Sequence, residues 1–320
     1  MRAAVIEQVG EPPSAGEAPD PTRGEGEALI EVSAEPINPI DVAIGAGKFY
    51  SGPPEVPYVP GKEGFGRVIE ADGHEPGTRV YFETPGGLGG NGSFGERAAV
   101  AEEELVAVEQ DIDDALAASL GIPGLAAWLS LEWRAKLAEG ETVLVLGASG
   151  AVGIIAVQAA KLMGAGRVVA AARDGAALER VRERGADATV DLSADGDLTE
   201  AFKEAAGGGI DVIVDPLWGP PAVAALQAMN PDGRLVHLGQ SASPEATIPS
   251  GPLRGNTLTI LGHTSLTASR ETKSAAYLKL VEHAAAGRIV LDTETFALDE
   301  VTDAWQRQSS FPYRKLVLSL

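Results

Sequence analysis

The chain has 320 residues, enough to bury a sizeable core and to divide into two domains. Its 25 basic and 46 acidic residues leave a net charge of −21, which counts against nucleic acid as a partner, because no basic surface could release phosphate counterions. It has no cysteine, so disulfides and thiolate-bound zinc are excluded, and no apolar run approaches membrane-spanning length. The opening MRAAVIEQVG is interrupted too early by Glu7 to serve as a signal peptide. The expectation is a soluble, cytoplasmic protein.

The first third reads as β-rich. Residues 3–6, 28–34, 66–70, 79–82 and 97–101 are short strand-like runs among many Gly and Pro. Residues 85–95 hold six glycines. That segment reads as a flexible loop, and such a loop can also border a site.

Further along, the text alternates. Strands are predicted over 142–146, 168–172, 210–215, 235–238 and 258–261, with helices over 151–163, 176–184, 198–206 and 221–229. Strands alternating with helices imply a parallel sheet covered on both faces. A helix over 270–286 follows, and β-like text returns in 287–298 and 314–318. The C-terminus is therefore expected to rejoin the first domain. The run 256–263 (NTLTILGH) ends the alternation and should form an edge strand.

The most informative stretch is VLVLGASGAVG, residues 143–153. An apolar strand runs at once into small residues, and these lead into a helix. Gly147, Gly150 and Gly153 suit a tight turn, close approach of a pyrophosphate and close packing of helix on strand. Ala148 stands where the first glycine of G-x-G-x-x-G would be. The helix start at Ser149, Gly150, Ala151 and Val152 offers unpaired N–H groups and a positive dipole end to an anion. Ser149 lacks the G-x-S-x-G frame of a hydrolase elbow, and no GK[ST] follows the glycines. The expected ligand is a dinucleotide.

The tip of the second strand usually selects the cofactor, with an acidic residue there binding the ribose hydroxyls of NAD. Here Ala172 is followed by Arg173. No carboxylate blocks a 2′-phosphate at that place, and a guanidinium can pair with one. NADPH is therefore favoured, the alternative being that Arg173 is a surface charge beside Asp174.

Seven segments in order carry a wider resemblance: NPIDVAIGAGKFY (38–50), VPYVPGKEGFGRVIEA (56–71), GIPGLAAWLSL (121–131), AEGETVLVLGASGAVG (138–153), GADATVDL (185–192), IDVIVDP (210–216) and YRKLVLSL (313–320). On these the chain resembles the medium-chain dehydrogenase/reductase superfamily, in its zinc-independent quinone oxidoreductase branch. The resemblance implies an α/β fold: a doubly wound Rossmann domain at 119–265 and a discontinuous GroES-like β-rich domain at 1–118 and 266–320, with the active site between them. It also implies a homodimer built by pairing the 256–263 strand across a two-fold axis.

Residue by residue, the resemblance implies that Asn38 lies near the nicotinamide ribose and that Tyr50 faces the substrate, where some members use the matching tyrosine as a proton donor. Without the resemblance, Tyr50 is an ordinary aromatic in a Pro-rich loop. Asp215, His237, Leu238 and Gly239 would border the cofactor, and Lys315 would approach it. Zinc-dependent members carry a cysteine near position 41 and a G-H-E motif. This chain has Asp41 and Gly61-Lys62-Glu63 instead, so no metal is expected. Ala126 and Leu192 also depart from common family residues near the cofactor.

Two functions remain open on the sequence. One is an NADPH-dependent reductase of a quinone or an α,β-unsaturated carbonyl, with Asn38, Tyr50 or backbone N–H groups stabilising the developing negative charge. The other is a cofactor-binding protein without catalysis. A zinc alcohol dehydrogenase is disfavoured by the missing ligands.

Overall fold

The structure, a computed structural model, describes residues 1–310 and 312–320. In chain order the first elements are β1 (Arg2–Val5), β2 (Ser14–Glu17), β3 (Glu27–Pro36), α1 (Pro39–Gly45), β4 (Glu63–Glu70), β5 (Arg79–Glu83), β6 (Arg97–Ala101), β7 (Val106–Ala107) and α2 (Asp114–Ser119). Next come α3 (Ile122–Leu129), β8 (Thr142–Leu146), α4 (Ala151–Leu162), β9 (Arg167–Ala172), α5 (Gly175–Glu183), β10 (Ala188–Asp191), α6 (Leu198–Ala206), β11 (Ile210–Asp215), α7 (Gly219–Gln227), β12 (Met229–His237), α8 (Ser250–Gly255) and β13 (Thr259–Gly262). The chain closes with α9 (Arg270–Ala285), β14 (Thr293–Ala297), α10 (Val301–Gln308) and β15 (Lys315–Ser319). No helix among the described residues is long and apolar enough to cross a membrane.

The chain forms two compact units: Met1–Ile122 with Tyr277–Ala285 and Leu291–Leu320, and Pro123–Ala276 with Ala286–Val290. The second half of α9 belongs to the first unit because Tyr277 is fully buried there. Its ring stacks on Tyr81 at 4.3 Å and its hydroxyl donates to Ala117 O at 2.9 Å.

In the first unit a sheet runs in the order β14-β15-β3-β4-β5-β7, with β6 also paired to β3. Along β3 the apolar residues Ala28, Ile30, Val32 and Ala34 alternate into the core, as a half-buried strand requires. They pack with Val68, Val80, Phe82, Ala98 and Val100. The C-terminal strand β15 lies antiparallel to β3, pairing Val317 with Pro36. This register brings Lys315 back to the start of α1.

In the second unit six parallel strands run in the order β10-β9-β8-β11-β12-β13. Val143, Leu144, Val145 and Leu146 of β8 are wholly buried. A parallel strand covered by helices on both faces has no solvent side, which is why this run is apolar without alternation. The order reverses between β8 and β11, the point where doubly wound sheets bind ligands. At the sheet's edge, β13 pairs with β12 alone among the described residues.

Candidate functional site

The glycine turn at the carboxyl end of β8 has the geometry its sequence demands. Gly147 takes φ +62°, and this left-handed position, rather than residue 148, makes the turn. Ala148 is therefore tolerated: it is buried, and its N–H bonds Ala171 O of β9 at 3.0 Å. A Cβ on Gly153 would stand 2.5 Å from both Ala148 Cα and Gly147 O, so only glycine lets α4 press this closely on the turn. Gly150 is different, since a Cβ there would meet nothing nearer than Gly147 O at 3.8 Å. It opens α4 with no side-chain cap, and Ser149, Gly150, Ala151 and Val152 are partly exposed. The first N–H groups of the helix thus lie beside open space, where an anion can meet them.

At the tip of β9, Arg173 is exposed and makes no ion pair among the described residues. The adjacent carboxylate is engaged with the helix that follows. Asp174 caps α5, its Oδ1 accepting from Ala176 N at 2.9 Å and Ala177 N at 3.3 Å.

At the end of β11, Asp215 is held by its own loop. Its side chain is fully buried, and Oδ1 accepts from the N–H groups of Leu217 and Trp218, both at 2.9 Å. Oδ2 lies 3.3 Å from His237 Nδ1. Asp215 therefore shapes the loop after β11. His237 ends β12 half-buried, with Trp218 against its ring at 4.3 Å. Leu238 N bonds Asp215 O at 2.9 Å. Gly239 is required because a Cβ would lie 2.8 Å from Pro216 O.

The first unit holds a buried polar network around the start of α1. Asn38 stands at the N-cap position of this helix, with Pro39 in its first position. Its N–H donates to Asp41 Oδ2 at 2.7 Å, and Lys62 N donates to Asp41 Oδ1 at 2.9 Å. Asn38 Nδ2 donates to Glu63 Oε1 at 2.8 Å and Pro36 O at 3.1 Å. Lys315 Nζ donates to Ile37 O at 2.7 Å and Asn38 Oδ1 at 2.5 Å. Tyr81 OH donates to Glu63 Oε2 at 3.0 Å, and Lys62 Nζ donates to Pro85 O at 3.1 Å. Two carboxylates and two ammonium groups are thus buried together. Burial pushes the Asp41 carboxyl up to about 6, against the opposing N–H of Asn38 and ammonium of Lys315. Burial likewise raises Glu63 and lowers Lys315, while each one's charge pulls the other back.

The two residues expected to act in catalysis are in different surroundings. Asn38 is 1% exposed, and both hydrogens of its amide are already engaged. Lys315 is 4% exposed, inside the same network. Tyr50 is 81% exposed, with its ring 4.0 Å from that of Phe49. Glu63 and Tyr81, which organise the network, escape a sequence reading. A strand start at residue 66 leaves Glu63 in a loop, whereas β4 begins at Glu63 itself.

Comparison with known proteins agrees with this architecture. Residues 24–110 match the alcohol dehydrogenase GroES-like domain, and residues 151–283 match the zinc-binding dehydrogenase domain. Quinone oxidoreductase-like protein 2 of Rattus norvegicus is 28% identical over 332 residues, covering 100% of this chain and 92% of that protein. Quinone oxidoreductase of Lama guanicoe is 30% identical over 230 residues, covering 70% of this chain and 68% of that protein. The chain belongs to the medium-chain dehydrogenase/reductase superfamily, in its quinone oxidoreductase-like branch. The quinone oxidoreductase from Thermus thermophilus, a crystal structure reported also as its complex with NADPH, superposes with a TM-score of 0.82 at 27% identity, covering 100% of both chains.

By the resemblance, zinc-dependent members carry other residues at two positions of the buried network. Lys62 places a cation where zinc-dependent members have histidine, and Asp41 replaces their cysteine. Both oxygens of Asp41 already accept backbone N–H groups. Among the described residues no three His, Asp or Glu side chains are gathered to hold a metal ion.

Proposed function

We propose that this chain is a zinc-independent, NADPH-dependent reductase that passes hydride to a quinone or an α,β-unsaturated carbonyl. The observation that carries the reading is at the tip of β9, where Arg173 stands without an ion pair among the described residues while Asp174 is held as the cap of α5. A guanidinium with a free fork suits a 2′-phosphate, and no carboxylate there favours the plain ribose of NADH. The N–H groups at Gly150, Ala151 and Val152 would receive the pyrophosphate, with Ser149 beside them. The NADPH complex of the Thermus thermophilus relative supports the same choice.

When bound, NADPH supplies the hydride. The chain's own residues position the acceptor and manage the charge that develops on its oxygen. Asn38 acts here by fixing Lys315 and Glu63, since its amide hydrogens already donate within the network. Lys315 Nζ makes two hydrogen bonds and has a third N–H to offer. Tyr50 carries an exposed hydroxyl that can donate a proton to an enolate. We take the protein to be cytoplasmic and homodimeric, with the open edge of β13 paired to a second copy. Light scattering that gives a monomer across a concentration series would remove the dimer.

The engaged amide of Asn38 favours a second reading, a cofactor-binding protein without catalysis. Turnover separates the two. Titration with NADPH is followed by assay on quinones, 2-alkenals and enoyl thioesters. Tight binding with no oxidation of NADPH by any acceptor would select the second reading.

A further inference from the structure

The parallel sheet of the second unit reverses order between β8 and β11. Two loops leave the carboxyl ends of these strands: the glycine turn after β8 and residues 216–218 after β11. They touch, since a Cβ on Gly147 would stand 3.1 Å from both Pro216 Cγ and Leu217 Cδ2. Ligands of doubly wound sheets settle just here, beyond the strand ends at the switch point.

Trp218 is the next residue, and its backbone is unusual. It takes φ +58° and ψ −171°, a region essentially reserved for glycine. Such a conformation persists only where the surroundings over-determine it, and here they do. Asp215 Oδ1 accepts from the N–H groups of Leu217 and Trp218. Ser241 places its N–H and hydroxyl on Pro216 O, at 3.2 and 3.1 Å. Ala242 N bonds Leu217 O at 2.9 Å. The effect is to set the indole against the imidazole of His237, with ring centroids 4.3 Å apart and planes inclined by 40°. The indole also packs partly on the apolar core, but it is only half-buried. Core packing alone needs no glycine-like backbone, because an apolar side chain can reach the same space from an ordinary one.

We propose that Trp218 is a cofactor-contact residue: its indole, backed by His237, forms an aromatic wall against which a ring of the bound dinucleotide packs. This rests on the reading of the chain as an NADPH-binding enzyme. The wall adds a contact that the glycine turn and Arg173, which address phosphates, do not supply.

The test compares wild type with Trp218→Phe and Trp218→Gly in titrations with NADPH. Calorimetry reads affinity, and tryptophan emission reads the indole. Trp218→Phe keeps a ring, so affinity stays within about twofold of wild type. The fraction of emission quenched by NADPH falls, because only Trp128, Trp133 and Trp305 remain to report. Trp218→Gly suits the backbone but removes the wall, so NADPH binds about threefold to tenfold more weakly. If Trp218→Gly does not fold, the quenching in Trp218→Phe decides alone. Binding of NADPH to wild type, with quenching unchanged in Trp218→Phe and affinity unchanged in any folded Trp218→Gly, would overturn the contact while leaving the NADPH reading intact. Wild type that binds no NADPH by calorimetry would overturn that reading, and this contact with it.

Discussion

The Lys315 ammonium donates to Asn38 Oδ1, joining two residues 277 positions apart and tying the last strand to the first turn of α1. The bond is the long-range half of a network in which Asn38 passes the contact on to Glu63. Lys315→Met would leave Ile37 O and Asn38 Oδ1 without their donor, and the buried carboxylates without one of their two counter-charges. Removing one partner from a buried charge network costs about 3–5 kcal/mol. Urea unfolding should show a loss of this size. A loss below about 1 kcal/mol, the range of an exposed pair, would show that the network carries little of the first unit's stability.

Two glycines of one turn should respond in opposite ways. Gly153→Ala drives a methyl into backbone at 2.5 Å, so α4 must lift from the turn, and the variant should melt well below wild type. Gly150→Ala has room in the free protein and an ordinary φ of −86°, so its melting temperature should hardly move. Its methyl enters the space meant for pyrophosphate, and NADPH affinity should drop by about tenfold or more. Equal affinity in Gly150→Ala and wild type would place the anion elsewhere.

His263 makes stability depend on pH. Its two ring nitrogens are buried without hydrogen-bond partners among the described residues, and burial, helped by the Arg134 guanidinium, lowers it to about 4 from 6.5. Between these values the unfolded chain binds the extra proton and the folded chain does not. The stability linked to this group is therefore full above pH 6.5 and is lost as pH falls toward 4. At pH 5 the loss should be about 1–2 kcal/mol. His263→Phe keeps the edge contact with Trp133 and removes the titration. Denaturant midpoints of the two proteins, compared at pH 8 and pH 5, should diverge in favour of the variant at the lower pH. Parallel changes would clear His263.

Tyr50 offers a clean test of proton donation because the fold asks little of it. It is largely exposed, and among the described residues its one ring neighbour is Phe49. Tyr50→Phe should leave stability and NADPH affinity near wild type. Reduction of an enone should slow by about tenfold to a thousandfold if the hydroxyl protonates or stabilises the enolate. Reduction of a quinone should slow less, since water can protonate the stable reduced product. Full enone activity would make Tyr50 a shape residue.

Much of the second unit is legible in the sequence, and burial explains why. The runs predicted at 142–146, 198–206 and 210–215 coincide with β8, α6 and β11. Strands with both faces covered must be apolar throughout, and α6 has a clear cap in Asp197, whose side chain accepts from Thr199 N and Glu200 N. Three helices of the first unit escape prediction: α1, α2 and α10. α1 is seven residues long and starts at Pro39, so its text reads as a turn. α10 buries Val301, Ala304, Trp305 and Gln308, a stripe whose last member is polar. The site is less legible than the fold. The glycine turn follows from local spacing alone. The fate of Asn38 depends on Lys315 in the last strand, and that of Asp215 on the loop it caps. The backbone of Trp218 is set by residues some twenty positions later, which no local pattern announces.

The most direct measurement compares the rates at which NADPH and NADH are oxidised across a panel of quinones, 2-alkenals and enoyl thioesters. An acceptor should be found for which kcat/KM with NADPH exceeds that with NADH by about tenfold to a hundredfold, the worth of an Arg–phosphate pair. Arg173→Ala should erase that margin and leave the NADH rate nearly unchanged. NADPH that binds but is oxidised by none of the acceptors, or a wild-type preference for NADH, would contradict the account.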